Sequence, residues 1–273
     1  MTLTEKFEKN IDQVNSDFQA IKSKLIECGV EVADGTKTAE LAEKVGAVFD
    51  AGRKAGNDAF WDAYQQNGNR TEYNYAFANY LWTKETFRPK YNIAPTVAHY
   101  MFQFNAIGGD LVAILDNLEI TLDFSKTTGM TNLFAGSKFT RIGEIDTRSI
   151  SLLNSCFANA NLLETIDKLK VREALRYSTT FNGCTALKNL TIDGTIAQNG
   201  FDVSSCTKLS KASILSILNA LSTTIGGCAV TFSKNAVDVA FADDKYIGSE
   251  SQEWWDWTTN QTDGRANWNF DLV

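Results

Sequence analysis

Proline and histidine are almost missing from this chain: Pro89, Pro95 and His99 are its only examples in 273 residues. Two neighbouring prolines leave no Pro-rich linker to divide the chain into independent parts. A single histidine restricts any Ser-His-Asp or Cys-His arrangement to His99. No G-x-S-x-G elbow or papain-like cysteine context accompanies it, so His99 reads as a structural residue. A P-loop, a G-x-G-x-x-G after a strand and an H-E-x-x-H helix are all lacking. Basic charge is short too. A net charge of −7 argues against nucleic acid as a main partner, because phosphate binding needs a basic face. No apolar run approaches the length of a membrane span, and Met1-Thr-Leu-Thr-Glu-Lys opens no signal peptide, so neither secretion nor membrane insertion is expected.

Five cysteines stand at 28, 156, 184, 206 and 228. An odd count without C-x-x-C spacing makes a poor disulfide framework and a poor metal site. Cys184 and Cys206 each precede a leucine by three residues, Leu187 and Leu209, which marks them as buried positions of a repeat. Reduced thiols and cytosolic synthesis follow. The acidic residues single out no catalytic pair. Glu164/Asp167 and Asp256/Asp263 are imaginable as glycosidase carboxylates, which stand about 5–10 Å apart, but solvated surface is the default reading. Asp243-Asp244 lacks the alternating oxygen ligands of a calcium loop. No cofactor and no metal are expected.

What is present is periodicity. Met130-Thr-Asn-Leu-Phe134, Leu153-Asn-Ser-Cys-Phe157 and Tyr177-Ser-Thr-Thr-Phe181 each end in phenylalanine, spaced by 23 and 24 residues. Behind each Phe come a small or polar turn and an apolar pair: Phe139/Ile142, Leu163/Ile166 and Leu187/Leu190. A period in this range with such a ladder predicts a leucine-rich-repeat solenoid. One unit cannot bury its own apolar edge, so stacked copies share a core and present an extended surface. An earlier unit is predicted at Val97–Phe102, with an insertion near 107–122 before Phe134. Cys206-Thr-Lys-Leu209 opens a last unit that turns into a helix carrying Ile214, Leu215, Ile217, Leu218 and Leu221. Ala229–Phe232 reads as a strand, and Trp268, Phe270 and Leu272 alternate with polar residues as a second strand.

Ahead of the repeats, residues 3–28 predict a helix with a heptad seam. Ile11, Phe18 and Leu25 take a positions; Phe7, Val14, Ile21 and Cys28 take d. β-Branched residues at d lean toward three or four strands over two. Self-association to a trimer is therefore favoured, against the competing reading of a helix packed on its own subunit. A second helix begins near Thr36 or Thr38. Residues 70–100 are rich in aromatics: Tyr73, Tyr75, Phe77, Tyr80, Trp82, Phe87, Tyr91 and Tyr100. Such a set serves either as a stacking platform for sugars or bases or as the cap that seals the open end of a repeat array. The cap is favoured, since the segment directly precedes the first repeat. Trp254, Trp255 and Trp257 crowd within four residues and cannot all face one core. At least one is expected to be exposed, which makes them candidate contacts for a ligand or partner.

Phe157-Ala-Asn-Ala-Asn-Leu-Leu-Glu-Thr-Ile166 and Phe181-Asn-Gly-Cys-Thr-Ala-Leu-Lys-Asn-Leu190 resemble the BspA-like leucine-rich repeats of bacterial surface proteins and their phages. The block from Phe60 to Phe77, with Phe87-Arg-Pro-Lys-Tyr-Asn-Ile93, is similar to a segment of gut-bacterial phage and prophage proteins. Gly29–Leu41 is similar to the N-terminal part of phage tail and fibre proteins. Together these segments fall within about residues 25–240. The resemblance implies a virion or tail-associated structural protein and brings no catalytic residues. The insertion at 107–122 and the Trp-rich stretch at 250–260 depart from that pattern.

The expected fold is thus α+β: an N-terminal helical, coiled-coil-like segment, then a short leucine-rich-repeat solenoid with helical and strand caps. Its divisions are an oligomerising helix (1–29), a linker and second helix (30–69), an aromatic-rich cap (70–101), the solenoid (102–209) and a C-terminal cap with the Trp-rich extension (210–273). The expected role is non-enzymatic, a structural or adhesive part of a phage tail, baseplate or fibre located in the virion. Its N-terminus would attach and oligomerise through Phe7, Ile11, Val14, Phe18, Ile21 and Leu25. Its repeats would bind a host-surface glycan or protein, or a neighbouring virion protein. A bacterial leucine-rich-repeat interaction module unrelated to any virion is the alternative.

Overall fold

The computed structural model describes residues 58–79, 82–83, 87–242, 246–247, 250–251, 254, 256, 258 and 268–273. The chain falls into two compact units, Met1–Phe60 and Trp61–Val273, and the second holds nearly all of the described residues.

Its organising element is a turn built around a phenylalanine. Phe77, Phe102, Phe134, Phe157 and Phe181 are each flanked, two residues before and two after, by positive φ. The flanking pairs are 75/79, 100/104, 132/136, 155/159 and 179/183, with φ between 50° and 76°. Two left-handed residues so close reverse the chain sharply around the ring and aim it inward. Asparagine and glycine accept this backbone readily, and they fill Asn79, Asn132, Gly136, Asn159 and Gly183. The turns are then tied unit to unit. The amides of Tyr75, Phe77 and Asn79 donate to the carbonyls of His99, Met101 and Gln103 at 3.0, 2.8 and 2.6 Å. The same three bonds recur from Tyr100, Phe102 and Phe104, from Asn132, Phe134 and Gly136, and from Ser155, Phe157 and Asn159. The backbone is thus satisfied along the stack while the rings bury completely. Phe102, Phe134, Phe157 and Phe181 lie nearly parallel, with successive centroids 5.3, 5.9 and 5.5 Å apart. Phe77 continues the column, tilted, 5.2 Å from Phe102. The aromatic-rich segment before Val97 therefore contributes a turn of the same design.

A short strand follows each of the last four turns, and an isolated bridge from Thr83 to Ala106 follows the first. β1 (Gly109–Asp110), β2 (Phe139–Asp146), β4 (Thr165–Lys170) and β6 (Asn189–Asp193) form one parallel sheet in the order β1-β2-β4-β6. Ile142, Ile166 and Leu190 face one another in register, as do Ile145, Leu169 and Ile192. The buried pair is three residues apart in β2 and β4 but two apart in β6, and the register shifts between Ile166 and Leu169 to absorb the difference. A second, narrow parallel pair joins β3 (Leu152–Asn154) to β5 (Arg176–Ser178).

Helices are short and local. α1 spans Asp58–Tyr64, and α2 (Leu111–Asn117) is the substance of the insertion at 107–122. Asp110 caps α2 by accepting from the Ala113 amide, and Leu111 and Ile114 bury its inner side. α3 (Lys211–Ala220) closes the open edge of β6 with serines instead of another strand. Ser213 Oγ accepts from the Leu190 amide and Ser216 Oγ from the Ile192 amide, both at 2.9 Å. That covering disposes of the unpaired edge that a parallel sheet would otherwise expose. β7 (Phe201–Val203), β8 (Ala229–Phe232) and β11 (Asn269–Leu272) form a second parallel sheet, followed along β8 by α4 (Lys234–Ala240). β9 (Tyr246–Ile247) and β10 (Glu250–Ser251) make a small antiparallel pair.

This architecture corrects the expected α+β fold led by a coiled-coil-like helix. The described residues form a mixed structure whose main sheets are parallel, and helices α1 to α4 have only seven to ten residues each. The reason is physical: in the β1-β2-β4-β6 sheet and the β3-β5 pair each strand finds its partner one unit away along the chain, so no helical layer is needed to connect them. The heptad seam on Phe7, Ile11, Val14, Phe18, Ile21, Leu25 and Cys28 lies outside the described residues. No helix among the described residues is long and apolar enough to cross a membrane.

Candidate binding surface

The stack presents two surfaces of opposite chemistry. The outer face of the β1-β2-β4-β6 sheet is charged and internally paired. Arg141 donates through Nε and Nη2 to both oxygens of Asp167, at 2.9 and 2.8 Å, and reaches Asp110 at 3.3 Å. Those two carboxylates, Asp167 first, hold its guanidinium above the ordinary arginine range. Lys170 meets Glu144 at 2.5 Å and is raised by it; Lys188 meets Glu164 at 3.2 Å. Asp146 has a nearly buried carboxylate, held below the usual range chiefly by hydrogen bonds from the Arg148 side chain at 2.6–3.2 Å. Exposed pairs of this kind contribute about 0–1 kcal/mol each. Their consequence here is chemical: Glu164 and Asp167, imagined as a catalytic pair, are each engaged by a cation one unit away.

The turn edge differs in kind. Tyr75, Tyr100, Asn132, Ser155 and Thr179 form one column, and Asn79, Phe104, Gly136, Asn159 and Gly183 form the other. None of these ten residues is an Asp, Glu, Lys, Arg or His. Where later units use asparagine, serine, threonine or glycine, the first two use aromatics at three of their four positions, the fourth being Asn79. The rings of Tyr75 and Tyr100 stack face to face, 4.5 Å between centroids and 4° from parallel. Tyr75 is 56% exposed and Phe104 42%. The next unit is hollowed to receive these side chains. A Cβ on Gly136 would stand 2.3 Å from the Phe104 ring, and one on Gly129 would stand 2.4 Å from His99 Nε2. His99 itself links units, its Nδ1 accepting from the Thr131 amide at 3.1 Å and its amide donating to Asn74 at 2.9 Å.

Other anticipated residues fall elsewhere. Trp254 is 2% exposed and lies against Phe232, Phe241 and Phe270, so it is core and not a contact residue. Its three ring partners come from strand, helix end and C-terminal strand, which local counting of the indoles does not register. Trp255, Trp257, Asp243, Asp244 and Asp263 lie outside the described residues. Of the aromatic-rich segment, Tyr73, Phe77, Trp82 and Phe87 are buried, while Tyr75 and Tyr100 face outward. Cys156, Cys184, Cys206 and Cys228 are buried and free. The Cys184 thiol donates to the Phe157 carbonyl at 3.0 Å, and burial pushes it up to about 12; Cys156 and Cys206 are raised by the same cause. Among the described residues no three His, Cys, Asp or Glu side chains converge as a metal site.

Tyr75 and Tyr100 were legible only as members of an aromatic-rich stretch, and Phe104, beyond its end, was not singled out at all. The sharper signal is their offset, two residues before or after a ladder phenylalanine, where the other units carry turn residues. Comparison with protein-family models, with curated proteins and with solved structures finds no match.

Proposed function

We propose that this chain is a non-enzymatic structural or adhesive component of a phage virion, in a tail, baseplate or fibre, using its stacked units to bind a host surface or a neighbouring virion protein. The observation that carries the binding role is the turn edge, where five units present uncharged side chains in register at a fixed step. Stacked units of this kind make extended contact surfaces to which each unit adds similar groups. A non-catalytic reading is supported by the state of the ionisable groups. Buried thiols are raised out of the reactive range, and the imagined acid pair is neutralised by Arg141 and Lys188. The virion setting rests on the resemblance of residues 60–77 and 87–93 to phage and prophage proteins. The genes on either side test it: tail or capsid genes are expected, whereas a run of bacterial housekeeping genes overturns the virion setting in favour of a cellular interaction module.

A further inference from the structure

We propose that the turn edge is a binding site for a neutral glycan, with Tyr75, Tyr100 and Phe104 as its apolar anchors. The assignment rests on the adhesive reading above and names the class of ligand.

Backbone cost is the first argument. A bulky aromatic at positive φ is an outlier, and three occur in the first two turns at φ 55°, 59° and 50°. Asn132, Ser155, Thr179 and three glycine or asparagine positions make the same turn with small residues, so folding does not call for rings here. Burial does not call for them either, because Tyr75 and Phe104 stand well exposed. Strain kept at an exposed position points to use of the side chain.

Preorganisation is the second. Tyr75 and Tyr100 brace each other face to face, and Gly136 leaves the space that the Phe104 ring fills. Rings held this way lose little freedom when a ligand arrives.

Chemistry gives the class. Both columns are uncharged, which disfavours nucleic acid and acidic polymers, and the charged sheet face has already paired its ions. The exposed ring of Phe104 suits the C–H face of a pyranose. Tyr75 and Tyr100, each covering one face of the other, offer their edges and hydroxyls, and Asn132 and the hydrogen-bonded pair Ser155–Thr179 offer further polar groups to the sugar hydroxyls. Successive units step by 5.3 to 5.9 Å along the Phe column, close to one sugar residue of an extended chain. Such a glycan would run along the stack, with one sugar per unit.

The test uses the full chain on a printed array of neutral and acidic oligosaccharides, beside the double variant Tyr75→Asn/Tyr100→Asn and the single variant Phe104→Asn. Asparagine is chosen because Asn132 and Asn159 already hold this backbone. The parent should bind a subset of neutral glycans. Each variant should lose at least tenfold in affinity, with a melting temperature equal to the parent's or higher. Binding by the variants as tight as the parent's overturns the site. Recognition of acidic glycans only, or of none, overturns the ligand class. A double variant that melts lower while Phe104→Asn binds as the parent does shows the rings to be structural, and that also overturns the site. Adhesion of the parent to cells that survives periodate but not protease treatment leaves the adhesive reading standing and shows a protein partner in place of the glycan.

Discussion

Replacing Phe157 by alanine removes the middle rung of the phenylalanine column. Phe157 is fully buried, stacked 5.9 Å from Phe134 and 5.5 Å from Phe181, both nearly parallel. Truncating a buried Phe costs about 3–5 kcal/mol, and aromatic pairs add about 0.5–1.5 kcal/mol beyond area. With a partner on each side and a backbone pinned to Thr180 on the next turn, the site has little room to collapse. The loss should therefore sit near the top of that range, about 4–5 kcal/mol. For a unit of this size the melting temperature should fall by about 8–20 °C. Urea titration followed by circular dichroism measures it, with Val239→Ala, at a side chain 70% exposed, as the control expected within about 0.5 kcal/mol of the parent. A loss below about 1.5 kcal/mol for Phe157→Ala would refute the inference that the column carries the core.

Three further substitutions probe other joints. Gly194→Ala places a Cβ 2.1 Å from the Val171 carbonyl oxygen at φ +119°, whereas Gly227→Ala meets nothing within 4 Å at φ +77°; thermal melts should show the first far more damaging than the second. Ser213→Ala with Ser216→Ala strips the acceptors from the Leu190 and Ile192 amides at the sheet edge, and should cost about 1–3 kcal/mol per orphaned group in urea titration. Asp146 is held below its ordinary range in the fold, so its stabilisation is complete above the usual carboxylate value of about 4 and fades as pH falls through the lower folded value. Asp146→Asn should flatten that acid limb in melts between about pH 5 and 2, and an unchanged limb contradicts the role given to Arg148.

The sequence made the ladder of Phe134, Phe157 and Phe181 legible because a fixed period survives without any knowledge of contacts. Phe77 was harder. Its flank Tyr75 looks like one more member of an aromatic cluster until the positive φ at Tyr75 and Asn79 shows the same turn. α2 hid inside an insertion, although Asp110 caps it in the ordinary way. Trp254 misled because crowding of indoles says nothing of Phe232, Phe241 and Phe270, which reach it from afar in sequence. The opposed chemistry of the two surfaces was not legible at all. It depends on which side chains alternate outward from β2, β4 and β6, and a register shift between Ile166 and Leu169 lies in the middle of that pattern.

Peptide mass spectrometry of density-purified particles, released from a bacterium carrying this gene, tests the central claim most directly. The account predicts peptides from this chain at a constant ratio to tail proteins across the particle band, with gold-labelled antibody decorating the tail. Peptides confined to the soluble lysate, with undecorated particles, would contradict it.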